Sequence, residues 1–372
     1  MTTHKRSTPY RFNWAVVMVG TIACLAGGCA WLGGKGKPAW VDGASSDYPA
    51  AQYLIGVGQS DNRNTAADQA YAAVARIFKA EVAAQAKDWE SYLVVESRGA
   101  TQTERRLTLD NLTKVSTDKV LENVSIRDTW FDPQKGLHYA LAAMNRPQAE
   151  AALMERIAEL DRTIEMELSE SRQTSDKLAK VRGLRRAART LVVREAYNAD
   201  LRVIRPSGQG TAAAHRVSEL TGELEQFLAT NLVLAVQVTG DHAEPVQRAL
   251  SEGLIREGLS VTTRTAGGDG LTPELLVRGT VRVWPIDARD PQFKYVRWCS
   301  DFDVVDVGSQ RIVGAVSRGG KEGHLSDREA TAKALRVIQQ EFSSDLAKAI
   351  AAHVLGEAPL PAPNAAPAGC PR

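Results

Sequence analysis

Apolar residues recur at every second position in some segments and at every third or fourth in others, the spacings of strands and helices. YLIGVG (53–58) is a short apolar run ended by glycine, which predicts a buried strand with a turn at GVG (56–58). Thr65-x-x-Asp68 resembles a helix cap. Ala70, Val74, Ile77, Phe78 and Val82 then follow at helical spacing, so a helix should pack on that strand. YLVV (92–95), β-branched and aromatic, reads as a further strand. Val124, Ile126 and Trp130 alternate toward DPQKG, and Leu137, Tyr139 and Leu141 alternate after it. That is a hairpin pattern, with Asp132, Pro133 and Gly136 as its punctuation.

From Pro147 the period becomes helical, through Leu153, Ile157, Leu160, Ile164 and Leu168, then Leu178, Val181, Leu184, Ala188 and Leu191. Residues 149–171 hold seven acidic and two basic residues, whereas 172–194 hold eight basic and one acidic. Opposite charge on consecutive helical halves, split by SRQTS, predicts an antiparallel pair whose flanks attract. The alternative is one continuous helix pairing with a partner chain. After the loop RPSGQG (205–210), a helix with Val217, Leu220, Leu224 and Phe227 opens a second unit. Its strand LVLAVQV (232–238) leads to a helix with Val246, Leu250 and Leu254, stopped by Gly258. LSVTT, the turn-rich AGGDG and three long strand candidates succeed it: ELLVRGTVRVW, FKYVRWCSDFDVVDV and RIVGAV. Leu275, Val277, Val281 and Val283 alternate with Arg278, Thr280 and Arg282, the mark of a sheet with one buried and one wet face. Ser326-x-x-Glu329 is a capping box before a helix with Leu335, Ile338, Phe342, Leu346 and Ile350.

The expected fold class is therefore α+β: two small α/β sandwich-like domains joined by a helical spacer. The divisions read along the chain are a signal (1–28), a tether (29–50), a first α/β domain (51–146), a helical spacer (147–230), a second α/β domain (231–355) and a disordered Pro/Ala tail (356–372).

The amino-terminal end changes this picture most. Lys5, Arg6 and Arg11 precede an uncharged stretch from Trp14 to Gly28, the form of a secretory signal. Small residues stand immediately before Cys29, and LAGGC resembles a bacterial lipobox, so Cys29 is the expected lipidation site. Cys24, in GTIAC, is a weaker competitor. An uncleaved anchor and a plain cleaved signal are the alternatives. Asp is absent after Cys29, a context that resembles outer-membrane sorting.

Lys plus Arg number 46 against 44 Asp plus Glu. Removing 1–28 takes three basic residues, so the mature chain is close to neutral and global charge points to no nucleic-acid partner. Cys299 and Cys370 could pair in an oxidising compartment. The preferred reading is an inert thiol at Cys299, because Cys370 sits in a Pro/Ala tail with no evident reason to dock.

With these segments laid out, PAWVDG (38–43), YLIGVGQS (53–60), ADQAYAAVARIF (67–78) and LHYALAAMNRPQAEAAL (137–153) resemble the Lpp-twenty family of bacterial surface lipoproteins, over about a third of the chain. The resemblance implies a fold and a location more than an activity. The second unit is similar in pattern to the amino-terminal domain of TolB and to lipoproteins of curli secretion and penicillin-binding-protein activation. A protein joining both kinds of unit would resemble a flagellar assembly protein, T, of sheathed polar flagella. The helical insert between the units departs from that pattern.

No motif for catalysis, cofactor or metal emerges. GGKGK (33–37) lacks the spacing of a phosphate loop, and the third glycine of a dinucleotide fingerprint is missing after GVG. The histidines His4, His138, His215, His242, His324 and His353 show no paired spacing, and no second cysteine near Cys299 builds a zinc site. Asp301 and Asp303 should project from one strand face beside Arg297, as an acid–base or cation pair or, preferred, a wet face with a local ion pair. Arg182, Arg185, Arg186 and Arg189 form a basic stripe that could touch lipid phosphate, peptidoglycan or an acidic partner. The preferred reading is that it is solvated or answers its own acidic helix. The expectation is a non-enzymatic, lipid-anchored envelope protein, in the outer membrane facing the periplasm or the cell surface. It would have no cofactor, and its partners would be the membrane and other envelope proteins or peptidoglycan. The rivals are an envelope hydrolase using Asp301 and Asp303, and a subunit of an oligomeric pore or ring.

Overall fold

The structure, a computed structural model, describes residues 36–85, 89, 92–93, 110–111, 114, 118, 121–262, 273–287, 292–356 and 370. Cys29, Cys24, His4 and the signal segment lie outside the described residues. Among the described residues no helix is long and apolar enough to cross a membrane.

The first unit is a three-stranded antiparallel sheet in the order β1-β3-β2, with β1 Tyr53–Ser60, β2 Val124–Asp132 and β3 Leu137–Asn145. Asp132 closes the β2–β3 turn by accepting from the N–H groups of Gln134 and Lys135, and Gly136 takes φ 66°. Helix α1, Arg63–Gln85, crosses the sheet with Ala66, Ala70, Val74, Phe78 and Val82 buried. Its cap is Asn62, whose side chain accepts from Asn64 and Thr65, rather than Thr65 as expected.

GVG is not a turn. Strand β1 runs through it to Ser60, and the glycines are there to admit the helix: a Cβ on Gly58 would stand 2.1 Å from Ala66 O, and one on Gly56 2.6 Å from Ala70 O. YLVV is likewise misassigned where it is described, since Tyr92 and Leu93 are helical. β-Propensity there gives way to tertiary context.

The opposite face of this sheet is covered by the expected tether. Residues Ala39–Asp42 form a 3-10 turn, and Trp40, 5% exposed, packs with Tyr139 and Leu141 beside Val41, Tyr48 and Trp130. Residues 39–42, assigned to the tether from sequence, are therefore part of the first unit. Strand β3, walled on both faces, has Ala140 through Met144 fully buried.

Helices α2 (Arg146–Gln173) and α3 (Lys177–Ile204) form the antiparallel hairpin that the charge segregation predicts. Arg194 to Asp161 (3.0 Å), Arg205 to Glu150 (2.8 Å) and Arg186 to Glu167 (3.6 Å) link the basic helix to the acidic one. The hairpin is more than a spacer. Leu153, Ile157, Leu160, Leu201 and Ile204 belong to the core under the first sheet, whereas Ile164, Leu168, Leu184, Leu191 and Val192 belong to that of the second unit. Both units thus bury apolar surface against the same two helices, a major source of folding free energy.

Helix α4 (Val217–Asn231) leads into a five-stranded mixed sheet, β5-β4-β6-β7-β8. Its strands are β4 Val233–Gly240, β5 Ser260–Thr262, β6 Leu275–Ile286, β7 Lys294–Asp306 and β8 Ile312–His324. β4 lies parallel to β5 and β6, while β6, β7 and β8 are antiparallel. One face is roofed by α5 (Ala243–Arg256), α6 (Asp327–Glu341), a π-helical turn (Phe342–Leu346) and α7 (Ala347–Val354). Ser326 caps α6 by accepting from Glu329 N, as the capping spacing predicts, and its hydroxyl also donates to the Glu329 carboxylate.

Candidate functional site on the open face of the second sheet

The face turned away from the roof follows from strand alternation. Val277, Val281, Trp298, Phe302 and Val316 point into the core. Their neighbours point outward, and registration aligns them in rows: Gln237 with Arg278 and Asp303, Thr239 with Thr280, Asp301 and Ser317, then Arg282 with Cys299, and Trp284 with Arg297 and Lys321.

The first two rows line a shallow open cleft of about 330 Å³ formed by Gln237, Thr239, Arg278, Gly279, Thr280, Asp301 and Asp303. Arg278 Nη2 stands 3.8 Å from Asp303 Oδ2, with both side chains well exposed. Ser317 Oγ donates to Asp301 Oδ1 at 2.6 Å, and the Thr239 and Thr280 hydroxyls meet at 2.9 Å. Asp301 and Asp303 are thus brought to one face, as expected. The ion-pair partner is Arg278 across the strands, not Arg297, which lies along the strand in a different row. Each carboxylate already has a neighbour: Asp301 accepts from Ser317, and Asp303 faces Arg278. What the cleft offers is a set of amide, hydroxyl, guanidinium and carboxylate groups that can exchange hydrogen bonds with a polar ligand.

At the next row the structure joins Cys299 to Cys370 in a disulfide, with Cα atoms 5.8 Å apart, within the usual range for such bonds. Cys299 is 3% exposed and, bonded to Cys370, is not the inert thiol preferred from sequence. The tail has no periodic pattern that could have foretold this.

The basic stripe on α3 is largely engaged. Arg182 Nη2 donates to His353 O at 2.9 Å and Arg185 Nη1 to Leu355 O at 3.3 Å, so both hold the carboxyl end of α7. Arg186 answers Glu167, and Arg189 is exposed. Burial pushes the Glu167 carboxyl up, against the opposing effects of the Thr190 hydroxyl and Arg186. The residue sequence reasoning missed is Arg194, one turn further on. Its side chain is wholly buried and binds Asp161, Glu195, the Thr211 hydroxyl and the carbonyls of Thr211 and Ala212.

The described histidines are scattered. His138 stacks on Phe131, His215 meets Glu165, His324 meets Glu329, and His242 starts α5 with φ 55°. His353 donates to the Val313 backbone; burial above all, and Arg182, hold its pKa below the usual histidine value. Among the described residues no three His, Cys, Asp or Glu side chains gather as a metal site.

Residues 38–145 match the family described as LPP20 lipoprotein. No curated protein matches the chain. Among solved structures, a minor lipoprotein of Acinetobacter baumannii is similar at 12% identity, over 34% of this chain and 93% of its own, with a TM-score of 0.24. A secreted protein of Helicobacter pylori is similar at 14% identity, over 78% of this chain and 97% of its own, with a TM-score of 0.32. Scores this low do not establish a shared fold.

Proposed function

We propose that this chain, whose residues 38–145 match the LPP20 lipoprotein family, is a cell-envelope lipoprotein moored through Cys29, with a non-enzymatic binding or scaffolding role at the outer membrane. The family match carries the reading. It begins at Pro38, beside the turn that packs on the first sheet and shortly after a lipobox-like LAGGC. From Cys29 to the docked Trp40 the chain can span at most roughly 40 Å, so the anchor would hold the first sheet close to the bilayer. The Cys299–Cys370 disulfide supports an oxidising compartment. The open cleft, rich in hydrogen-bonding groups and without an activated nucleophile, supports recognition rather than turnover; another envelope protein or peptidoglycan is the proposed partner.

Separating envelope membranes by density tests the anchoring. The wild-type chain should band with the outer membrane, and Cys29→Ser should move to the soluble periplasmic fraction or remain as uncleaved precursor. A Cys29→Ser chain that still banded with the outer membrane at its mature length would remove the proposal.

A further inference from the structure

The far end of the open face differs in chemistry from the cleft. From the disulfide row outward, the residues of β6, β7 and β8 on this face are Arg282, beside Cys299, then Trp284 and Ile286, with Arg297 and Tyr295, and Lys321 and Gly323. From Arg282 to Ile286 this ribbon extends about 13 Å along the strands. Arg282 and Lys321 are exposed, as is Lys294 at the strand start. Phe293 is 42% and Leu325 67% exposed at the tip, the latter the most exposed large apolar side chain of the described residues. The aromatic rings are packed together and fixed: Phe293 and Tyr295 have centroids 6.5 Å apart, and Lys321 Nζ lies 4.1 Å over the Tyr295 ring. Gly323 permits this, because a Cβ there would stand 2.5 Å from the Tyr295 ring.

The acidic groups nearby are mostly committed elsewhere. Glu322 faces the roof and pairs with Lys333, and Glu329 pairs with His324. Asp287 and Asp327 are the further acidic side chains near the tip among the described residues, against Arg282, Lys294, Arg297 and Lys321. A rim of long basic side chains around exposed Phe293 and Leu325 and half-buried Trp284 and Tyr295 suits an interface where phosphate lies outermost and hydrocarbon just beneath. Anionic lipid attracts such clustered cations within a Debye length, and the rings settle at headgroup depth.

We propose that this end of the β6–β7–β8 ribbon is a membrane-contact surface that rests against anionic phospholipid headgroups, a second contact besides the lipid anchor. The inference rests on the lipoprotein reading, since the anchor supplies the local concentration that lets a small patch engage. The ribbon tip then sets the orientation of the second unit, leaving the cleft of Gln237, Arg278, Asp301 and Asp303 facing along the membrane surface.

The test is photo-crosslinking of the full-length chain in intact envelopes, with p-benzoylphenylalanine in place of Leu325. A matched probe stands in place of Ile312, which is 56% exposed at the other end of β8. Lipid adducts at 325 and not at 312, reduced about tenfold or more by Arg282→Ser with Lys321→Ser, are expected from the loss of two charges near an anionic surface. Adducts to a protein at 325, equal lipid adducts at both sites, or none at 325 would overturn the proposal. Acyl chains on the amino-terminal peptide are read in the same sample. An acylated chain without adducts at 325 thus removes the contact surface alone, whereas a chain without acyl groups removes the lipoprotein reading.

Discussion

The indole Nε1 of Trp40 donates to Asp128 Oδ2 at 2.9 Å, fastening the 39–42 turn onto β2, 88 residues later. The ring fills the outer face of the first sheet against Tyr139 and Leu141. Trp40→Ala should destabilise the protein by about 3 kcal/mol, the usual cost of truncating a buried aromatic. Trp40→Phe keeps most of the packing and loses the hydrogen bond, for about 1 kcal/mol. Urea denaturation of the two variants checks the order. Equal midpoints for wild type and Trp40→Ala would mean that the segment is not part of the fold.

Reduction should matter as well. The Cys299–Cys370 bond closes a stretch of 71 residues, and such a cross-link stabilises by about 4 kcal/mol through the unfolded chain. Thermal unfolding with and without dithiothreitol should show a lowered Tm in the wild type, and no further shift in Cys299→Ser with Cys370→Ser.

Arg194 joins the hairpin to the 211–212 loop through five groups. Arg194→Met should cost about 3 kcal/mol, because it strands carbonyls and carboxylates that the guanidinium had satisfied. Arg194→Lys should recover little, since one ammonium cannot reproduce the fork. Circular dichroism melts of both variants test this.

Acid should loosen the junction of α7 with α3. His353 has its folded pKa lowered from 6.5, so in the window just below that value the unfolded chain binds the extra proton. The stability it contributes is present above the ordinary histidine range and is lost as pH falls through the folded value. A pH series of urea midpoints should fall on that limb for the wild type and be flatter for His353→Gln.

Much of this was legible in the chain. The Asp132–Gly136 hairpin, the α2–α3 pair and the Ser326–Glu329 cap rest on local signals, namely turn chemistry, charge segregation and capping spacing, and each stands where expected. The alternation of Arg278, Thr280 and Arg282 marked the wet face that became the cleft. Long-range packing was not legible. Gly56 and Gly58 read as a turn because nothing local says that a helix backbone will press on them. Trp40 looked like tether, and Cys370 like loose tail, because their partners lie 88 and 71 residues away. The hairpin read as a spacer for a similar reason: its two ends serve different cores.

Mass spectrometry of the amino-terminal peptide of the native protein bears most directly on the account. It predicts a mature chain beginning at Cys29, with acyl groups on that residue. A chain beginning at Met1, or one cut elsewhere and bearing no lipid, would contradict it.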